Sequence, residues 1–383
     1  MRVFVWQWGR LGVGPRYAYE LSEALAELGH ETVLSLAQGA EVMQSADVRA
    51  AVTHPVKTYA SSGEFLRRTA IINRILNPLL RALQTDRPDV AIVPMTGYWD
   101  IFLMRRLRRM GIPVVSLIHD AQMHPGDNLR VMVWLQRVLI RLSAGVVTMS
   151  DFVARQLQER TLLAGKVHAT IPLASLNYDD LELPPPQPPV PENRALRLLM
   201  GGRLKRYKGL DLFADALRAV GGNAPLIVRV VGAPDNEQDL EALRSIPFVE
   251  FDLGWKSDRD LVEHLDWADA AILPYTEASQ SGVVPVSFGR GRAVIVTPIG
   301  GLPEQVQHGV TGLVSEAVSA EALADAICLL AHNRDLVCQL GEQAMRYAQR
   351  DISWTRLAPR FAEFLRAVAG DERSADRPNI AGR

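Results

Sequence analysis

Short apolar runs alternate with amphipathic segments along almost the whole chain, and this rhythm restricts the fold more than any other feature. The first run is Arg2–Gln7, followed by a helical pattern in which Tyr17, Leu21, Ala24, Leu25 and Leu28 recur on one face. Residues 32–37, 90–94, 113–118, 145–149 and 167–171 are further strand candidates, and Ser150 is placed to cap the helix that begins at Asp151. Runs that stay apolar on both faces belong to parallel strands covered on both sides. The pattern therefore predicts α/βunits on a parallel sheet.

At residues 183–191 the texture changes to a proline run that can be neither helix nor central strand, and it reads as a semi-rigid linker. A second series of strand candidates follows at 196–200, 226–231, 249–253, 270–273 and 293–297. The chain has 383 residues, enough for two domains of ordinary size. The boundaries expected are an N-terminal domain over 1–183, a linker over 184–193 and a second domain over 194–350. A last helix is expected over 351–369, with an apolar stripe of Leu357, Phe361, Phe364 and Leu365, and then a flexible tail over 370–383.

Composition excludes several classes. Hydrophobic residues are 48% and charged residues 22%, a globular balance, and the formal charge of -1 argues against a broadly basic nucleic-acid binder. The basic surplus lies in residues 1–166, while the remainder is acidic. Two cysteines, Cys328 and Cys338, form neither a disulfide framework nor a metal spacing, which fits a reducing, cytoplasmic compartment. The start has no signal-peptide pattern, and no window approaches about 20 unbroken apolar residues.

Three loops could carry chemistry. Gly12, Gly14 and Pro15 follow the first strand, where glycines admit a ligand to the backbone and a helix N-terminus offers free N–H groups. Tyr17 stands where a dinucleotide fingerprint needs glycine, so a tight turn with no ligand is an equal reading. Gly201-Gly202-Arg203-Leu204-Lys205-Arg206-Tyr207-Lys208 follows the first strand of the second half. Arg203 and Lys208 there suit a diphosphate, by bidentate contact and by point charge, while Lys205 and Arg206 read as a solvated basic loop. Residues 274–285 run from a strand end through Ser279, Gln280 and Ser281 to a helix start at Gly282 and Val283, another anion-ready corner.

With these motifs the chain resembles, over nearly its full length, the GT-B glycosyltransferases of the large retaining family 4 type. Leu28-Gly29-His30-Glu31 is similar to that family's opening, and Arg203 with Lys208 to its diphosphate-binding pair. Residues 274–304 are similar to its donor block, Val310-Thr311-Gly312-Leu313 to the sequel, and Ile352-Ser353-Trp354 to the segment before the last helix. The resemblance implies two Rossmann-like, doubly wound domains facing a cleft, with a last helix that returns to the N-terminal domain. It implies a UDP- or GDP-sugar donor in the C-terminal domain, an acceptor in the N-terminal one, and no further cofactor. His119 matches the cleft histidine that contacts the donor sugar, Glu304 matches its family position, and Leu253-Gly254-Trp255-Lys256 resembles the base-binding stretch. The family's paired glutamates fall on Ala278 and Val286, and Ser279-Gln280-Ser281-Gly282 looks like a variant that offers hydroxyls and amides instead.

The expected residues are thus His119, Arg203 and Lys208 for catalysis, with Gly12, Gly14, Gly202, Trp255, Lys256, Ser279, Gln280, Ser281, Gly282, Val283 and Glu304 for the donor. No metal site is expected. His119, Asp120 and His124 lie on one loop without a fourth ligand, and Asp258-Arg259-Asp260 reads as helix N-terminal acids. Arginines beside large apolar residues, such as Arg67 and Arg68 with Leu66, suit either solvated helix faces or an interfacial surface for a lipid-linked acceptor. The activity expected is sugar transfer in cell-surface polysaccharide or glycolipid assembly. Against it stand a non-catalytic nucleotide-sugar-binding partner, favoured by Ala278 and Val286, a GT-B sugar-nucleotide epimerase, which would need cleft carboxylates, and a phosphorylase, which would need a pyridoxal lysine.

Overall fold

The computed structural model describes residues 1–121, 129–192 and 194–375; His124 and the tail from 376 lie outside the described residues. The chain divides into two units, Met1–Ile171 with Trp354–Arg383, and Pro172–Ser353.

The first unit holds a six-stranded parallel sheet, β1 (Arg2–Gln7), β2 (Glu31–Leu36), β3 (Val90–Val93), β4 (Val114–Ile118), β5 (Gly145–Thr148) and β6 (Val167–Thr170), in the order β2-β1-β3-β4-β5-β6. Val3, Phe4, Val5 and Trp6 are all fully buried, as strands covered on both faces must be. The helices Ile72–Asp86, Asp100–Arg109 and Leu129–Leu142 close one face over Phe4, Trp6, Ala91 and Val93. The helix Trp354–Ala375 also belongs to this unit. Its Trp354 stacks edge-on against Tyr17, 4.9 Å between centroids, and donates a 2.7 Å hydrogen bond to Glu20.

The second unit repeats the plan with β7 (Leu196–Gly201), β8 (Leu226–Gly232), β9 (Val249–Leu253), β10 (Ala270–Leu273), β11 (Ala293–Val296) and β12 (Gly312–Val314). All neighbours are parallel, in the order β12-β11-β10-β7-β8-β9. The helices Leu210–Val220 and Ala320–His332 cover one face over Leu198, Met200, Val228, Val230 and Ile272.

Several expectations are corrected. The chain passes between units at Ile171/Pro172, ahead of the expected boundary at 183, and the proline run belongs to the second unit. It is fastened there because it presents bare carbonyls to buried arginines. Arg290 donates to Pro184 O at 2.8 Å, and Arg292 donates to Gln187 O. The last helix extends to Ala375, past the expected end at 369. Residues 312–314 form a strand that periodicity alone does not reveal, because three residues are too few to show alternation. Among the described residues, no helix is long and apolar enough to cross a membrane.

Candidate active site

In an open parallel sheet, ligands bind beyond the carboxyl ends of the strands where the winding reverses. In the second unit the chain runs β7, β8, β9 to one side and then returns to β10 on the other side of β7, so the switch lies between β7 and β10. The loops leaving these strands are locked together by backbone. Thr276 donates to Tyr207 O through its amide at 2.9 Å and its hydroxyl at 3.1 Å. Gly209 has φ 75° and a Cβ there would sit 1.8 Å from Pro274 O, so only glycine permits the approach. One strand further, Gly300 has φ 59° and its missing Cβ would sit 1.5 Å from Ala278 O.

Lys208 stands at this switch. Its ammonium is buried, lies 5.2 Å over the Tyr275 ring, and among the described residues has one long hydrogen bond, 3.5 Å to Gly201 O. Burial, with Arg203 and Lys205 adding repulsion, pushes its pKa down to about 8. A Cβ on Gly202 would lie 3.0 Å from the ammonium, so this glycine lets it reach the backbone. Arg203 is exposed beside it. Lys205 departs from the solvated loop expected of it: it is buried, 4.0 Å from Asp235. The corner therefore gathers three cations, Lys205 offset by Asp235 and Lys208 held by one long hydrogen bond among the described residues, a setting that suits an anion.

The loop after β10 supplies the polar wall. Ser279 and Ser281 are buried, and Gln280, Gly282 and Val283 are half-buried. Ser281 Oγ accepts from Val283 N at 3.3 Å and lies 3.4 Å from the Tyr275 hydroxyl, whose pKa burial raises to about 12. Ala278 and Val286 are buried in the core, which apolar side chains tolerate and unpaired carboxylates would not. Glu304 is exposed on the short helix Leu302–Gln305, one residue before Gln305, which bonds Ser281. Trp255 is 43% exposed at the end of β9, and Lys256 is paired with Asp252, which also binds His264 at 2.8 Å. Asp258 and Asp260 open the helix Asp258–Trp267, Asp260 closing a capping box with Ser257.

The first unit has its own switch, between β1 and β3. Here side chains pin the loops. Gln7 donates to Met95 O at 3.3 Å, Asp100 accepts from Gly97 N at 2.6 Å and from Trp6 Nε1 at 2.9 Å, and His119 Nε2 lies 2.7 Å from Pro94 O. Because a carbonyl can only accept, His119 Nε2 carries the hydrogen, leaving Nδ1 as the acceptor of a neutral ring. Burial lowers its pKa, so the neutral ring is the form at pH 7. Gly12 and Gly14 lie at the start of the helix Val13–Glu27, with Gly14 packed on the Gln7 amide.

Gly202, Arg203, Lys208, Ser281 and Val283 thus share one corner of the second unit; Trp255 and Lys256 lie at the neighbouring strand end β9, and Gly12, Gly14 and His119 belong to the first unit. Sequence motifs did not single out Tyr275 or Gln305, although both lie within or beside the donor block.

Residues 195–333 match the family "Glycosyl transferases group 1", and residues 13–172 match the "Glycosyl transferase 4-like domain". The chain is 32% identical over 191 residues to the GDP-mannose-dependent alpha-(1-6)-phosphatidylinositol monomannoside mannosyltransferase of Mycobacterium tuberculosis, covering 43% of this chain and 46% of that protein. It is 26% identical over 185 residues to the D-inositol 3-phosphate glycosyltransferase of Corynebacterium glutamicum, covering 45% of this chain and 43% of that one. The chain spans less than half the length of these curated relatives. Its fold is similar to that of Anabaena HepE, solved in complex with UDP and glucose, with TM-score 0.69, 14% identity, and 96% of this chain and 100% of that chain covered. With both units matched and a six-stranded parallel sheet in each, the chain belongs to the family 4-like GT-B glycosyltransferases.

Proposed function

We propose that the protein transfers a sugar from a nucleotide diphosphate donor to an acceptor hydroxyl, with retention at the anomeric carbon and without a metal. The observation that carries the reading is the buried Lys208 at the β7/β10 switch, beside Arg203 and under-compensated by its neighbours. As the glycosidic bond to the diphosphate breaks, charge develops on the leaving phosphate. Lys208, held in place beforehand, and Arg203 beside it are assigned to stabilise it. The acceptor hydroxyl attacks from the face the diphosphate leaves and passes its proton to a phosphate oxygen. On the family resemblance, His119 is assigned to the sugar, and Gly12 and Gly14 to close approach of a ligand to the backbone. Trp255, Lys256, Ser279, Gln280 and Glu304 are assigned to the nucleoside and sugar.

The names of the relatives supply two donor chemistries, GDP-mannose in the mycobacterial enzyme and UDP with glucose in the Anabaena structure. Both are carried forward for this chain. The acceptor is assigned to the first unit and is a lipid-linked saccharide; exposed Leu66, Val131 and Trp134 among arginines support peripheral contact with the inner face of a membrane. The test is incubation with a panel of UDP- and GDP-sugars, with and without membrane extract, reading nucleotide release. Turnover of one donor supports the reading. Binding without turnover for every acceptor favours the inert donor-binding partner that Ala278 and Val286 suggest. In calorimetry, Arg203→Ala combined with Lys208→Ala is expected to weaken UDP or GDP binding by about 100-fold or more, and unchanged affinity would remove the site assignment.

A further inference from the structure

The short helix Leu302–Gln305 and the loop after β10 meet through a single side chain. Gln305 Oε1 accepts from Ser281 N at 2.8 Å, and Gln305 Nε2 donates to Ser281 O at 3.1 Å. Both backbone groups of one residue are thereby closed in a ring with one amide, much as a neighbouring strand would hold them. Ser281 passes the constraint on in two directions. Its hydroxyl accepts from Val283 N at 3.3 Å, and it lies 3.4 Å from the Tyr275 hydroxyl. The Tyr275 ring in turn lies 5.2 Å beneath the Lys208 ammonium. Ala278 and Val286 offer this loop no polar brace of their own.

We propose that Gln305 is a positioning residue for the donor loop: its amide fixes the Ser281 peptide, and through it the Val283 amide and the Tyr275 ring that supports Lys208. The inference rests on the donor-site reading above. The chemistry selects an amide, because the Ser281 peptide needs an acceptor and a donor at once. An ionised carboxylate supplies only acceptors, sets one oxygen against Ser281 O, and adds negative charge beside a diphosphate site.

The test uses the full chain with UDP and GDP as probes in calorimetry. Gln305→Val is expected to weaken the nucleotide that binds by about tenfold, the loss of two hydrogen bonds in a half-buried corner. With a turned-over donor, KM rises and kcat falls as well, since Lys208 acts on charge that develops as the bond breaks. Unchanged affinity overturns the proposal. Because the valine variant could lose the fold of the loop altogether, Gln305→Glu decides independently. At about pH 8 it should bind as weakly as the valine variant, whereas at about pH 4, below the ordinary glutamic acid pKa, its mostly protonated carboxyl accepts and donates as the amide does, and affinity should return to within about twofold of wild type at the same pH. Arg203, Lys205, Lys208, Glu277 and Glu304 carry the other charges of this corner and are common to both proteins, so the ratio to wild type isolates position 305. A ratio flat with pH overturns the proposal. Failure of the wild type to bind either nucleotide overturns the donor-site reading itself, and a loss confined to the variants separates the two cases.

Discussion

The two switch points of this protein are built from the same topology by opposite means. In the second unit the loops approach backbone to backbone, through Gly209 on Pro274 O and Gly300 on Ala278 O, and leave a buried cation at the junction. In the first unit the loops are held by side chains, Gln7, Asp100 and His119, each bonded to a backbone group of residues 94–97. Backbone set against backbone at Gly209 and Gly300 cannot shift without changing the fold, which suits an unvarying group such as a diphosphate, while Gln305 braces the Ser281 peptide between them. A corner held by side chains can be retuned by single substitutions, which suits a site whose ligand differs between relatives.

The contrast is broken most directly by adding one methyl group to each side. Gly300→Ala is expected to cost about 4 kcal/mol or more, since the new Cβ meets a carbonyl at a positive φ and neither can yield. Gly14→Ala, whose Cβ would lie 2.6 Å from the Gln7 amide, should cost only about 1 kcal/mol, because a flexible side chain moves aside and forfeits one hydrogen bond. Urea denaturation of both variants measures the difference, and equal costs would erase the distinction.

Charge sharpens it next. The pKa of Lys208 is lowered from 10.5 to about 8, so the unfolded chain binds its proton more tightly than the folded one, and the burden it places on stability is present at pH 7 and relieved as pH rises through about 8 to 10. Lys208→Met is therefore expected to stabilise the protein by about 3 kcal/mol at pH 7 while nucleotide binding is lost, and the gain should vanish towards pH 10. A destabilised methionine variant would show that the ammonium is well compensated after all.

The corresponding test in the first unit is gentler. Burial raises the pKa of Asp100 from 3.8 to about 6, against the opposing bonds from Trp6 and Gly97. The folded state holds the proton more tightly, so the stability this residue contributes is full below pH 4 and is lost as pH rises through 6. The stability gap between wild type and Asp100→Asn should shrink by about 2 kcal/mol between pH 4 and pH 7, read from thermal melts at each pH. A constant gap would show that the carboxyl is not desolvated in the folded protein.

The strands were legible because burial on both faces leaves a local record, as in Val3 to Trp6 or Ala293 to Val296. Arg203 and Lys208 were legible as site candidates because they follow a strand closely and carry charge. The rest depends on who meets whom. Lys205 and Gln305 look like surface residues in sequence, and only tertiary placement buries the one against Asp235 and closes the other on Ser281. The proline run reads as a free spacer until Arg290 and Arg292, a hundred residues away, are seen to take its carbonyls. Periodicity reports exposure along a segment, and carries no record of a partner so distant.

The first unit is interrupted by the second, since Trp354 onwards completes what Met1–Ile171 begins. At ribosomal rates, about ten to forty seconds separate Ile171 from Trp354. During that interval Tyr17 and Glu20 lack their indole partner, and Gly145 faces the place that Phe364 and Val368 later fill. The second unit, continuous in the chain, has all of its residues before the first does. Nascent chains of this protein therefore carry an uncovered apolar seam beside a unit already able to close, and their exposure to chaperones and proteases is set by how quickly the helix from Trp354 arrives.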